Sequence, residues 1–144
     1  GNELGYKDNL EYNFRQDVEA VKIVFESKAK LTILPCKNIV SELRIDINTL
    51  KKYLENKSEL CKYLIERFYN DGYHGIQESR VIWDIAVIAY MINKNWFETK
   101  QISCPNIRKD TSYEVTDNRH SITFVTKLDR DKIYKDLFEK PGEL

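Results

Sequence analysis

Apolar positions along this chain recur with helical period in some stretches and run continuously in others, and each stretch predicts an element. Residues Gly1 to Gln16 have little helical period and read as loop, with a short extended piece around Glu11 to Phe14. Val18, Val21, Val24 and Phe25 then share one face of a helix. Asp17 is placed to cap it, and Glu19 suits its first turn. Lys28-Ala29-Lys30 ends that helix, and Leu31 to Leu34 forms a short apolar strand stopped by Pro35. A helix running into a buried strand is half of an α/β unit.

Three helices are expected next. Ile39 to Leu43 is a short one. Ile47 to Glu55 carries Ile47, Leu50 and Leu54 on one side, and Glu59 to Asn70 carries Leu60, Leu64, Ile65 and Phe68 behind a Ser58 cap. The turn Asn70-Asp71-Gly72-Tyr73-His74-Gly75 breaks the last of these, because its glycines tolerate positive φ.

Val81 to Ile92 is the most apolar run, with Asp84 as its only charge. A segment apolar on every face predicts a helix packed inside the protein, ending near Asn93 or Asn95. A buried Asp must be paired, hydrogen-bonded or bound to a metal. Asp84 therefore either caps this helix or grips an ion.

Lys100 to Cys104 reads as a strand closed by Pro105. Tyr113 to Thr116 and Ile122 to Leu128 read as a hairpin about the turn Asp117-Asn118. Arg130 to Glu139 is a last amphipathic helix with Ile133, Leu137 and Phe138 inward, and Pro141 to Leu144 frays. Together these give an α/β fold in a single domain over residues 1–144. A short parallel portion near Leu31 and a C-terminal hairpin pack against several helices.

Composition narrows the function. Positive and negative charges balance and intersperse, with no basic stripe to track a phosphate backbone, which argues against nucleic acid. The longest apolar run is too short to span a bilayer, so no membrane partner is expected. Gly1-Asn2-Glu3-Leu4 lacks the features of a secretion signal. Three cysteines, Cys36, Cys61 and Cys104, stand far apart without metal-ligand spacing, which suits reduced thiols in a cytoplasmic protein. Cys36, just after a strand, is given no chemistry, and His120 is taken as a surface residue.

Glu11-Tyr12-Asn13-Phe14-Arg15-Gln16-Asp17-Val18-Glu19-Ala20 resembles the signature of the inosine-uridine preferring nucleoside hydrolase family, an acidic residue, an aromatic and Asn before Asp-Pro-Glu-Ala at a helix start. Leu31 to Cys36 resembles the strand that follows. Trp83-Asp84-Ile85-Ala86-Val87-Ile88-Ala89-Tyr90 resembles a late helix that usually opens His-Asp. Asn118-Arg119-His120 and Asp129 to Phe138 resemble the last hairpin and helix. The motifs are colinear but correspond to the C-terminal half of such an enzyme, with an open, mostly parallel sheet. Gly1-Asn2 resembles a mid-enzyme Gly-Gly-Asn segment.

The resemblance implies hydrolysis of the N-glycosidic bond of a ribonucleoside to ribose and free base. It implies Asp84 as a ligand of a catalytic Ca²⁺, and Glu11, Asn13 and Asn2 on the ribose. Alternation along an extended segment would put Glu11 and Asn13 on one face. Tyr69 and Tyr73, with His74, lie where the family closes over the base. Trp83 replaces the usual His and could stack on the base but not transfer a proton. The family's Asp-rich loop, Asp-x-Asp-x-x-x-Asp-Asp, has no counterpart in this sequence. These residues alone are thus expected to bind no calcium and to be inactive, with the missing N-terminal half or a second copy as partner. The alternatives are a non-catalytic binding or assembly module of the same fold, and a small α/β domain with no site.

Overall fold

The computed structural model describes residues 2, 4–5 and 11–139. In chain order they form helices α1 (Tyr12–Gln16) and α2 (Val18–Glu26), strand β1 (Thr32–Ile33), a 3-10 turn (Val40–Glu42), β2 (Arg44–Asp46), α3 (Ile47–Leu54), α4 (Glu59–Tyr69) and β3 (Ser79–Val81). There follow α5 (Ile85–Ile92), a second 3-10 turn (Lys94–Trp96), β4 (Phe97–Ser103), β5 (Asn106–Ile107), β6 (Tyr113–Glu114), β7 (Ser121–Leu128) and α6 (Arg130–Glu139). The predicted fraying of Pro141 to Leu144 lies outside the described residues. The chain divides into two compact units, one of residues 1–40 and 97–128, the other of residues 41–96 and 129–144.

In the first unit, Asp17 caps α2 as its residue type predicts, its side chain accepting from the Ala20 N–H at 2.9 Å. The sheet runs β1-β7-β4. β1 pairs with β7 in parallel, Thr32 opposite Thr123, which is the parallel portion expected near Leu31. β4 pairs with β7 in antiparallel register from Phe97–Leu128 to Ser103–Ser121. Ile122 and Phe124 of β7 are buried, and Phe25, Cys104, Ile107 and Ile122 form a core cluster onto which Phe14, Val18, Val21 and Tyr113 pack.

Two expectations fail here. Glu11 to Phe14 is not extended but enters α1. The Tyr113 strand does not pair with the Ile122 strand: β6 pairs with β5, and β7 pairs with β4 and β1. A two-residue partner cannot compete with the seven-residue ladder that β4 offers, because each further cross-strand pair adds stabilisation.

In the second unit, β2 and β3 pair antiparallel, and Asp46 both ends β2 and caps α3, accepting from Thr49 N–H at 2.9 Å. Ser58 caps α4 by accepting from Cys61 N–H at 3.2 Å. Ile45, Ile47, Leu50, Leu54, Cys61, Phe68 and Phe138 form the core cluster. These include Ile47, Leu50 and Leu54, which helical spacing assigned to the inner face of α3, and Phe68 of α4. Ile65 packs against the cluster, but Leu60 and Leu64, assigned to the same face of α4, are exposed.

Helix α5 departs from expectation. Its small residues, Ala86 and Ala89, are buried, whereas Val87, Ile88, Met91 and Ile92 are 50%, 58%, 74% and 53% exposed. Asp84 is likewise exposed, so the carboxylate expected inside the protein is open at the helix mouth. Among the described residues no helix is long and apolar enough to cross a membrane.

Candidate functional site

In the first unit the site is built on the start of α1. Glu11 is the N-cap, only 5% exposed, with its backbone N–H donating to Thr111 Oγ1 at 3.2 Å. Oε2 accepts from the Phe14 N–H at 2.7 Å. Oε1 accepts from Asn13 Nδ2 at 3.3 Å and from Cys36 Sγ at 3.7 Å. Sequence reasoning paired Glu11 with Asn13, and the structure does bring them together, through capping geometry rather than strand alternation. Asn2 is buried.

The electrostatics favour an ionised carboxylate. Burial pushes Glu11 up, but the Phe14 amide leads the interactions that pull it down, and the net is below the ordinary carboxylate value. Burial first, and Glu11 as well, push the Cys36 thiol up. Burial and then Glu11 also hold the Tyr113 phenol well above its usual range, and its hydroxyl is buried without a hydrogen-bond partner. Cys36 and Thr111 were not foreseen as neighbours of Glu11. Only the placement of β1 and the β5–β6 turn brings them there, and neither leaves a local sequence signal. His120 was taken as a surface residue, yet it is half-buried with Nε2 enclosed and unpartnered.

In the second unit the turn after α4 is organised by Asp71, a residue sequence reasoning did not single out. Asp71 Oδ1 accepts from the N–H groups of Tyr73 at 2.8 Å and His74 at 2.7 Å. Its Oδ2 meets His74 Nδ1 and Arg80 Nη1, each at 2.7 Å. The His74 amide first, then the His74 ring, hold the Asp71 carboxyl far below the usual range. Gly72 and Gly75 take positive φ, the freedom this tight path requires. The turn presents Tyr73 to solvent at 88% exposure, with Tyr69 also exposed at the end of α4. Arg80, on β3, also donates to the Phe68 carbonyl at 2.6 Å and so ties the turn back to α4.

Trp83 and Asp84 stand side by side before α5, both exposed. The Asp84 side chain makes no capping hydrogen bond. A calcium ion takes six to eight oxygens. Asp84 offers one carboxylate, and among the described residues no group of three or more His, Cys, Asp or Glu could hold a metal ion. The described residues by themselves therefore do not fit a calcium site.

A separate hollow of about 730 Å³ in the same unit is lined by Arg44, Tyr53, Lys57, Arg130, Tyr134 and Phe138 among others. Tyr53 stacks on Phe138 at 4.4 Å, and burial pushes the Tyr134 phenol up to about 12. None of the candidate site residues named from the sequence lines it.

The fold, an open mixed sheet with helices of the α/β class, is shared with solved nucleoside hydrolases. The plant nucleoside hydrolase PpNRh1 superposes with a TM-score of 0.77 at 17% identity, over 100% of this chain and 52% of that one. The inosine-uridine preferring nucleoside hydrolase from Bacillus anthracis gives 0.76 at 13% identity, over 100% of this chain and 47% of that one. The sequence profile of the inosine-uridine preferring nucleoside hydrolases matches residues 3–135, and the chain belongs to that family. It spans about half the length of these solved relatives. No curated protein sequence matches it.

Proposed function

We propose that these residues form the sugar-holding half of a ribonucleoside hydrolase. The observation that carries this reading is the buried Glu11 carboxylate, held below its ordinary pKa, with Asn13 against it, in the segment that resembles the family signature. In the reaction a water oxygen bonds to the anomeric carbon of ribose. The bond from that carbon to the base nitrogen breaks, and the base departs with the electron pair and takes up a proton. Positive character grows on the sugar ring as the base leaves. Glu11 accepts from ribose hydroxyls and supplies negative charge near that ring. Asn13 can donate to one sugar oxygen and accept from another hydroxyl. Held rigidly by α1 and by Thr111, the pair spends its binding energy on orientation.

Trp83 stacks on the base or shapes its pocket, and Tyr69 and Tyr73 supply further aromatic surface. Asn2 adds a sugar contact. In a complete enzyme Asp84 would be one of several calcium ligands, and the ion would supply a bound water of lowered pKa. On this reading the 144 residues alone turn over no nucleoside.

The test is Glu11→Gln in the protein that carries these residues within a complete fold. Loss of charge-assisted hydrogen bonds is expected to lower kcat/KM for ribonucleosides by about a hundredfold. Unchanged kcat/KM would overturn the assignment. A second reading, a binding or assembly module without catalysis, draws support from the exposed apolar residues of α5. Ribonucleoside binding with no release of base, in that same complete protein, would favour it.

A further inference from the structure

Five non-glycine residues among those described have positive φ: Lys28, Asn38, Asn56, Thr111 and Asn118. Asparagine enters the left-handed region readily, whereas a β-branched side chain there is a steric outlier. Thr111 is the β-branched member of the five, at φ +67°, and it is buried. A strained residue persists only where its surroundings over-determine it, and such residues gather at functional sites.

The turn that holds Thr111 closes without using its hydroxyl. The Thr111 N–H donates to the Arg108 carbonyl at 3.0 Å, and the Arg108 N–H donates to the Ser112 carbonyl at 2.9 Å. Asp110 Oδ1 accepts from the Ser112 N–H at 3.0 Å and from the Ser112 hydroxyl at 2.6 Å. Glycine or asparagine at this position would make the same backbone bond with less strain. What the hydroxyl adds is an acceptor for the Glu11 N–H, at 3.2 Å in a buried setting and 100 residues away in sequence. A capping box would supply that acceptor from a Glu or Gln three residues after the cap, but Phe14 stands there.

The Glu11 carboxylate is tied to its own helix through the Phe14 N–H and Asn13 Nδ2. Those bonds fix it relative to α1, not α1 relative to the rest of the unit. Phe14 packs edge-on against Phe25 and Tyr113, an apolar contact that tolerates sliding. The Cys36 thiol is a weak donor at 3.7 Å. A buried amide-to-hydroxyl bond is directional and allows less play. We propose that Thr111 is a positioning residue of the sugar site: its hydroxyl sets where the Glu11 carboxylate and Asn13 stand on the scaffold of their unit. The inference rests on the reading of Glu11 as a sugar ligand and deepens it. Thr111 acts through Glu11 and needs no contact with substrate.

Thr111→Val keeps the side-chain shape and removes the acceptor, while Thr111→Ser keeps the acceptor. In the protein that carries these residues within a complete fold, Thr111→Val is expected to lower kcat/KM for ribonucleosides about tenfold, and Thr111→Ser to stay within about threefold of the unaltered protein. Added to Glu11→Gln, Thr111→Val should cost little more than Glu11→Gln alone, because both act through one carboxylate. In the 144-residue chain, Thr111→Val is expected to speed hydrogen exchange of the Glu11 amide about tenfold. A Thr111 that only braced its turn would leave kcat/KM intact in the folded Val variant, or add its loss in full to that of Glu11→Gln. Either result overturns the proposal, as does unchanged Glu11 exchange or a Ser variant as impaired as Val. If Thr111→Val fails to fold, Thr111→Gly, which takes this φ without strain, makes the same comparisons. Full activity in Thr111→Val beside an impaired Glu11→Gln removes the positioning role and leaves the sugar reading standing. Full activity in Glu11→Gln sinks both.

Discussion

Glu11 combines two roles that usually fall to different residues. It caps a helix and is the candidate sugar ligand, so its protonation bears on both stability and binding. Its folded-state value lies below the ordinary one, so its stabilising contribution is fully present above the unfolded carboxylate range. That contribution is lost as pH falls through the lower folded value. Glu11→Ala removes the acceptor for the Phe14 N–H in a buried setting and is expected to cost about 1–3 kcal/mol near neutrality. The stability gap between the two proteins should then shrink on acidification below about pH 4.5. Urea unfolding of both proteins at a series of pH values checks this, and a gap that widened in acid would reverse the assignment. Little of this was legible beforehand. Glu is not a preferred N-cap residue, and Glu11-Tyr12-Asn13 alternates as a strand would, so the helix start at Tyr12 carried no local signal.

At the scale of elements, side-chain period was the dependable guide wherever large apolar residues had a partner within their own unit. Ile47, Leu50 and Leu54 pack where their spacing put them, and α6 runs over Arg130–Glu139 as its pattern indicates. The same spacing had placed Leu60 and Leu64 on the α4 core face, but both are exposed, while Cys61 and Phe68 are buried. Leu50→Ala is therefore expected to destabilise by about 2–5 kcal/mol and Leu60→Ala by less than about 0.5 kcal/mol. Denaturant midpoints of the two variants measure this; equal losses would mean that α4 turns a different face inward. Pairing between strands was not legible, because the choice of β4 over β6 as the partner of β7 depends on ladder length and on distant chain. β2 and β3 were missed because three residues are too few to show a period. Helix α5 was identified as a helix and misplaced as buried. The pattern records how much burial a segment demands, and four side chains worth about 1.5–3 kcal/mol each when fully buried leave much of that demand unmet here.

For the whole molecule, the candidate chemistry is divided between residues that organise themselves and one residue that does not. Glu11 and Asp71 have their hydrogen-bond partners within their own units, at 2.7 to 3.7 Å and 2.7 to 2.8 Å respectively. Such a preformed arrangement needs nothing further to hold its shape. Asp84 has no capping contact and stands at the head of an uncovered apolar stripe. A single exposed carboxylate holds a hard cation no better than any surface Asp, since affinity comes from the number of oxygens gathered in a fixed cage. Calorimetric titration of the 144-residue chain with calcium is thus expected to show no binding tighter than about millimolar, and Asp84→Asn to change nothing in that titration. In the complete fold the same substitution is expected to weaken calcium binding by at least about tenfold, because there the carboxylate would be one of several ligands in a closed shell. Micromolar calcium binding by the chain alone, abolished in Asp84→Asn, would show that these residues assemble a cage of their own. The sugar-holding and metal-holding functions would then not be divided between this polypeptide and another.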